Sequence, residues 1–211
     1  MNYLEHFKTI TYHKLLVMDA CFKVGLIYQG LTHDLSKYSA DEFLAGAKYY
    51  QGNRSPNNAE REAKGASNAW MHHQGRNKHH YEYWIDYAID APKGVRKPVK
   101  MPRRYLVEMV CDRIAASKVY NKEKYDDSFP LKYFMKGYDH IFMHIKTKEE
   151  LRFLLTMLSE HGEEYTFDYI RKKVLKNAGR RENFIQWYAV YGQSYVRKLL
   201  GCIEKLGNPV R

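Results

Sequence analysis

The sequence predicts an all-α protein, and three observations carry that prediction. Apolar residues recur at helical spacing along most of the chain. No sustained alternation of Val, Ile and Thr with polar residues marks a strand. Two Ser/Thr-x-x-Glu patterns are typical of helix starts. With 211 residues, the chain is long enough for one core domain and a helical extension.

The first two predicted helices lie before residue 51. Apolar spacing from Ile10 to Tyr28 predicts a helix that carries His13 on its apolar face, with Gly30 at its end. The segment Ser39-Ala40-Asp41-Glu42 predicts a capping box, in which the serine caps an early N–H and Glu42 reaches back. A helix of about three turns should follow it. The next residues, 51–58, contain Gly, Pro and Asn and predict a loop.

The remaining helices of the first half follow in order. One is predicted to begin near Asn58 and to carry His73 on its apolar face. After the interruption at 75–78, His79-His80 should open another helical stretch through Trp84 and Ile89. A loop rich in Pro and Gly then leads to a helix of about 103–120, whose inward face includes Asp112.

A polar stretch at 121–130 marks the expected domain boundary. We expect residues 1–125 to form the core domain and residues 126–211 a C-terminal helical extension packed on it. In that extension, Thr147-Lys148-Glu149-Glu150 predicts a second capping box and Gly162 interrupts a helix. Its aromatic and leucine-rich runs hold too much apolar surface for a free tail. The alternatives to packing on the core are packing of these helices on each other and packing across a homodimer interface.

Composition and charge limit the function classes. No apolar run approaches the roughly 18–20 residues that span a bilayer, so no membrane partner is expected. Three distant cysteines and the lack of a secretory signal predict a cytoplasmic protein whose cysteines are buried and reduced. The net charge of +11 suggests that the protein binds nucleic acid. However, the basic residues form short separate clusters, so solvated helix faces are the favoured interpretation and an anionic partner is the next.

Seven residues are the candidates for chemistry. Three of them, His13, His73 and Asp112, fall on apolar helix faces, where a carboxylate is costly unless it is paired or bound to a metal. Neutral imidazoles and carboxylates suit zinc and divalent transition metals, and a carboxylate can bridge two ions. The set is large enough for two ions: His13, His33, Asp34, His73, His79, His80 and Asp112.

The order of these residues resembles the ligand order of the HD superfamily of metal-dependent phosphohydrolases. The segment His33-Asp34-Leu35-Ser36-Lys37 is similar to the H-D-x-x-K pattern of that family. The resemblance covers about residues 12–120, and the additional histidines resemble the two-metal branches, which include the HD-GYP type. Tyr81-Glu82-Tyr83-Trp84 stands where a G-Y-P motif would follow, so cleavage of cyclic dinucleotides is not supported.

The resemblance implies an HD-domain-like helical bundle with additional C-terminal helices and a set of residue roles. Asp34 would bridge two divalent ions (Mn, Fe, Zn, Ni or Mg) and, with Lys37, serve catalysis. Lys37 would also bind substrate phosphate, and Arg76, Asn77 and Lys78 would bind the rest of a small anionic phosphorylated substrate, foremost a nucleotide. One ion would take His13, His33, Asp34 and Asp112, and the other Asp34, His73, His79 and His80.

Two other functions remain open at this stage. Some HD-fold proteins hold two irons and use dioxygen to oxidise a substrate, and their ligands are also His and Asp. Metal content and oxygen dependence would separate such an oxygenase from a hydrolase. A basic RNA- or DNA-binding protein with a degenerate site is the third alternative, and it is not favoured because every ligand position is filled.

Overall fold

The chain forms a mainly helical structure in a computed structural model that describes residues 1–176 and 180–206, which confirms the all-α prediction. The first half contains α1 (Tyr3–Lys23), α2 (Ile27–Thr32), α3 (Ala40–Lys48), α4 (Pro56–Lys64) and α5 (Asn68–Gln74). A hairpin of β1 (Ile85–Tyr87) and β2 (Arg96–Pro98) precedes α6 (Arg103–Asn121). The second half contains α7 (Phe129–Lys136), α8 (Ile145–Tyr169), α9 (Arg180–Trp187) and α10 (Gln193–Lys205).

Glycines with positive φ divide two of the predicted helices. Gly25, at φ 81°, follows the end of α1, so Gly30 lies inside α2 and does not end the first helix. Similarly, Gly65, at φ 78°, ends α4. The Ser67 hydroxyl then accepts a hydrogen bond from the Trp70 N–H and starts α5. A φ in this range favours glycine, because other side chains are strained there.

The predicted helix from His79-His80 to Ile89 is wrong. A short 3₁₀ turn at Tyr81–Trp84 leads into β1, which pairs antiparallel with β2 so that Ile85 faces Pro98. Short apolar and aromatic runs do not distinguish helix from strand. Here Gly94, at φ 94°, lies in the loop that reverses the chain and allows the pairing.

Both predicted capping boxes are also wrong, because Glu42 and Thr147 contact residues outside their own helices. Ser39 stands at the N-cap of α3 but makes no capping hydrogen bond, and Glu42 contacts His72 and His73 instead. At α8 the capping side chain is His144, while the Thr147 hydroxyl accepts from the Met101 N–H at 3.1 Å. The helix starts are near the predicted positions, but other interactions stabilise them.

The hydrophobic core lies among α1, α6, α7 and α8. Its buried members include Val17 and Cys21 from α1 and Cys111 from α6. They pack with a leucine row of α8 and a phenylalanine of α7: Leu151, Leu154, Leu155, Leu158 and Phe134. Residues from both sides of position 125 therefore share one core, although the division into two domains stays a prediction. In the described part of the chain, no helix is long and apolar enough to cross a membrane.

The helices α9 and α10 pack along α1. The Tyr188 hydroxyl donates to Asp19 at 2.7 Å, and the Tyr12 hydroxyl donates to Glu204 at 3.0 Å. Farther back in the chain, Gly162 takes a φ of 80° inside α8 and interrupts its helical geometry, as the sequence predicted. Cys202 of α10 is exposed, contrary to the expectation that all three cysteines are buried.

Substitution of Gly46 by alanine should destabilise the protein. A Cβ at this position of α3 would lie 2.1 Å from His6 Nε2, and the His6 ring is buried between Phe43 and Tyr50. Overpacking of this kind costs about 1–3 kcal/mol. The matched control is Gly201→Ala in α10, where a Cβ meets nothing within 4 Å. Urea denaturation of both variants should show a loss at Gly46 only.

The stability of the fold should also depend on the protonation of His6. Burial and, to a smaller extent, the charge of Lys37 lower the pKa of His6 to about 4. The pKa of a histidine in an unfolded chain is about 6.5. As the pH falls, the unfolded chain therefore binds a proton at this histidine before the folded chain does. The contribution of His6 is complete above pH ~6.5 and is lost as the pH falls towards the folded value.

The test compares His6→Gln with the wild-type chain by urea denaturation at pH 7 and pH 5, both without metal. Acidification should lower the free energy of unfolding of the wild-type chain by about 2 kcal/mol more than that of the variant. Equal decreases in the two proteins would show that His6 is not buried in its neutral form.

Candidate metal centre

The centre is built around the turn that follows α2. His33 caps the C-terminus of this helix, and Asp34 takes a left-handed φ of 54°, which aspartate tolerates better than most residues. The Lys14 ammonium donates to the backbone carbonyls of Leu31 and His33 at 2.8 and 3.0 Å and so holds the turn against α1. The carboxylate of Asp34 consequently lies inside the protein, with 2 % of the residue exposed.

Other elements place further imidazoles and a carboxylate around Asp34. The packing of α1 against α6 brings His13 Nε2 to 3.0 Å from Asp112 Oδ1. Near the end of α5, His73 Nε2 lies 3.3 Å from Asp34 Oδ1. The segment between α5 and the 3₁₀ turn carries His79, whose Nε2 lies 3.4 Å from the same oxygen.

All seven predicted residues lie together, in two groups that share Asp34. One group contains His13, His33, Asp34 and Asp112, and the other contains Asp34, His73, His79 and His80. Within each group the candidate ligand atoms lie within 4.8 Å of one another. A third buried group, His33, His79 and Glu108, joins the two from behind. These clusters could hold metal ions.

The contacts in the two groups resemble a coordination shell more than a hydrogen-bond network. His13 Nε2, His33 Nε2 and His79 Nε2 are buried without a hydrogen-bond partner, and so are both carboxylate oxygens of Asp34. His80 Nε2 is in the same condition. Several of these atoms are 3.0–3.5 Å from an oxygen of Asp34 or Asp112 but lack hydrogen-bond geometry. Two ligand atoms that each lie about 2.1 Å from the same ion are about 3.0–3.5 Å apart. The separations in this cluster therefore fit a bound metal ion.

Glu108, one turn before Asp112 in α6, was missed by the sequence analysis. Its Oε1 lies 2.9 Å from His33 Nδ1 and 3.3 Å from His79 Nδ1. A carboxylate on Nδ1 fixes the ring and leaves Nε2 directed at the centre, which is a recurring arrangement behind metal-bound histidine. The spacing of four residues to Asp112 could have indicated it, because both side chains lie on one helix face.

Glu42 fixes an imidazole of the other group in the same way. The sequence analysis had assigned this residue to a helix cap. Its two oxygens lie 2.6 Å from His72 Nδ1 and from His73 Nδ1. His72 Nε2 then faces Asp41 at 3.3 Å, away from the centre. Only His73 of this pair therefore belongs to the cluster around Asp34.

The charged side chains of the cluster shift one another's pKa values. Burial raises the pKa of Asp34, but the charges of His33, Lys37 and His73 outweigh it and hold that pKa well below its usual range. Burial and the charges of His79 and His73 keep the pKa of His80 well below the usual value, so this imidazole is neutral. A neutral imidazole is the form that binds a metal.

Lys37 lies at the edge of the cluster. Its ammonium is 2.6 Å from Asp34 Oδ2, and 28 % of its side chain is exposed, so a ligand from solvent can reach it. Burial alone would lower the pKa of Lys37, but the Asp34 and Asp112 carboxylates raise it above the usual value. Lys37 is therefore charged at neutral pH.

The three predicted substrate-binding residues at 76–78 have different environments. Asn77 is buried and its amide donates to Ser36 Oγ and the His73 carbonyl at 2.8 Å, so it stabilises the loop around His73. Arg76 and Lys78 are exposed, and the Lys78 ammonium lies over the Tyr83 and Tyr105 rings. Of the three residues, Arg76 and Lys78 are therefore the ones available to a ligand, and their role stays a prediction.

The chain belongs to a protein family of unknown function, DUF5662, whose model matches residues 2–157. This match includes all seven clustered residues as well as Glu42 and Glu108. It extends through α7 and into α8, well beyond the region that resembles an HD domain. No curated protein and no solved structure gives a significant match.

Replacement of Asp34 should affect both groups at once, because its carboxylate belongs to each of them. We expect Asp34→Asn, purified from metal-supplemented cells, to contain less than about half the divalent metal of the wild-type protein, since a neutral amide binds these ions weakly. The control, Asp139→Asn, changes an exposed carboxylate far from the cluster in sequence. Elemental analysis of folded protein is the measurement. Wild-type metal content in the Asp34 variant would contradict the arrangement.

Proposed function

We propose that this chain is a metal-dependent phosphohydrolase of the HD type that acts on a small phosphoester. The main support is the convergence of seven imidazole and carboxylate side chains, five of them buried and two half-buried, on two sites that share Asp34, with several buried atoms that lack a hydrogen-bond partner. Their order along the chain matches the ligand order of the HD superfamily. The charged and accessible Lys37, three residues after Asp34, is placed as in the H-D-x-x-K pattern.

The donor sets support two divalent ions. His13, His33 and Asp112 would hold one ion and His73, His79 and His80 the other, with one oxygen of Asp34 directed to each group. Supporting this division, His13 and His33 lie nearest Asp34 Oδ2, while His73 and His79 lie nearest Oδ1. Mn, Fe, Zn, Ni and Mg remain the candidate metals, and histidine-rich sites favour transition metals over Mg.

Bound divalent ions would supply a water of lowered pKa and a positive field for the phosphoryl oxygens. The side chains of the protein would orient the metal ligands and provide positive charge for the substrate phosphate. Glu108 and Glu42 hold the imidazoles in the orientation that directs Nε2 inward. Lys37 provides a fixed positive charge where an anionic phosphate would enter. Arg76 and Lys78, exposed in the segment between His73 and His79, would add positive charge.

A screen of phosphate monoesters and diesters tests the proposal. Each is incubated with protein reconstituted separately with Mn, Fe, Zn, Ni or Mg, and released product is measured with and without oxygen. The proposal requires hydrolysis that depends on metal and not on oxygen. Turnover that needs iron and oxygen would favour the di-iron oxygenase, whose ligands are of the same types. Salt-sensitive binding of RNA or DNA without turnover would favour the nucleic-acid alternative.

Lys37→Met should lower the turnover of any phosphoester substrate by about two orders of magnitude, because it removes one charge that stabilises the transition state. The metal content of the variant should be that of the wild-type protein, since Lys37 is not one of the clustered ligands. Lys136→Met, which changes an exposed lysine of α7, is the control. An unchanged kcat in a metal-loaded Lys37 variant would remove this residue from the mechanism.

A further inference from the structure

The last long helix of the chain has apolar residues on two opposite faces. The helix α9, the π-helical turn Tyr188–Gly192 and α10 follow one another without a break and form this one C-terminal helix. Its inner face packs on α1, where the Phe22 ring lies 5.4 Å from the Phe184 ring and 5.1 Å from the Tyr188 ring. Val196, farther along the same face, is also buried. The inner face therefore attaches the C-terminal helix to the rest of the protein.

The outer face of the C-terminal helix is also apolar, but it is exposed. Between 50 and 68 % of the surface of each of five residues is exposed: Trp187, Val190, Tyr191, Tyr195 and Leu199. Four of them are spaced by four residues, which moves each by only about 40° around an α-helix, and the wider π-helical turn offsets part of that drift. They form one outer stripe, in which the Trp187 and Tyr191 rings lie 6.5 Å apart. A helix that is apolar all round is typical of a buried position, so we expect the outer stripe to be covered.

The middle of the C-terminal helix carries no charge. Residues 183–196 include no Asp, Glu, Lys or Arg, although charged residues make up 28 % of the chain. Depletion of charge together with enrichment in Tyr and Trp is typical of the centre of a protein interface. A two-fold axis brings residues near it against their own copies, so a charge there would face a like charge. An uncharged centre suits a second copy of the helix, whereas an anionic lipid surface favours basic residues along such a helix.

The size of the outer stripe matches one side of a dimer interface. A large aromatic side chain can bury about 150–250 Å². The five partly exposed residues together therefore offer on the order of 500 Å² of apolar surface. A standard interface buries about 800 Å² on each partner, of which roughly 56–65 % is apolar. The outer stripe and its polar neighbours, such as Gln186 and Ser194, are large enough for a stable dimer.

We infer that the outer stripe is the interface of a homodimer, in which two copies of the C-terminal helix pack against each other about a two-fold axis. The indole and phenol rings of Trp187, Tyr191 and Tyr195 form its apolar centre, and the tyrosine hydroxyls reach polar groups or water at its rim. None of these residues belongs to the groups around Asp34. The inference is therefore independent of the proposed function, and assembly and catalysis can fail separately.

Sedimentation velocity of the full-length protein, at concentrations from about 1 to 100 µM, measures the dimer. We expect Tyr195→Glu to weaken dimerisation by at least about thirtyfold, because the variant removes a central aromatic ring and places like charges near the two-fold axis. The matched controls are Tyr28→Glu and Tyr133→Glu, which introduce the same charge at tyrosines that are 72 and 69 % exposed. Both controls should dimerise as the wild-type protein does.

Thermal unfolding followed by circular dichroism verifies that the variants fold. Tyr195→Ser removes the ring without adding a charge, and it provides the same test where the glutamate variant does not fold. A wild-type protein that stays monomeric at about 100 µM would overturn the inference. So would a dimer that the Tyr195 variants leave unchanged, or one that the control variants weaken equally. Monomeric protein that binds vesicles of phosphatidylcholine and phosphatidylglycerol, and loses this binding in Tyr195→Glu, would assign the outer stripe to a lipid surface instead.

Discussion

The burial of the Asp34 carboxylate is the constraint on which the rest of the structure depends. An ionised carboxylate that is removed from water and forms no hydrogen bond is costly unless positive charge surrounds it. The imidazoles of His33, at the end of α2, and of His73, in α5, together with the ammonium of Lys37, provide that positive charge in the absence of metal. The helices therefore have to meet at this point, and the left-handed conformation of Asp34 is the local consequence. Divalent cations would satisfy the same carboxylate more completely.

The imidazoles around Asp34 need orientation as well as proximity, and two further carboxylates provide it. Glu108 joins His33 to His79, so it connects the chain after α2 with the chain after α5. Glu42 joins α3 to α5 through His73. Each of these carboxylates is buried against histidines and has its own pKa lowered by them despite the burial. The network connects elements that are distant in sequence, which explains why short helices such as α2 and α5 keep a defined position.

How much the sequence predicts depends on the range of the interaction involved. The helical class, the position of α6 and the break at Gly162 follow from local periodicity and glycine. The seven clustered positions could be chosen because polar residues on apolar helix faces need partners. The structure brings all seven together, and their role as ligands is a proposal.

The features that were missed depend on contacts between distant segments. Glu42 occupies the sequence position of a capping residue, but its carboxylate binds His72 and His73, about thirty residues away. In the hairpin, Ile85 and Tyr87 gain strand partners only because the chain reverses near Gly94. Glu108 shares a helix face with Asp112, but its role is identified by its contacts with two imidazoles. Local sequence therefore predicts which residues are buried better than it predicts their partners.

The helix α1 connects the candidate centre with the part of the chain that the family match does not reach. His13 faces the centre, while Asp19 and Tyr12 bind Tyr188 and Glu204 of the C-terminal segment. The match ends at residue 157, before α9 begins. Because a helix is a stiff rod over this length, contacts along one face restrict the rotation of the other. The α9–α10 segment thus supports the position of His13, although none of its described residues belongs to either group around Asp34.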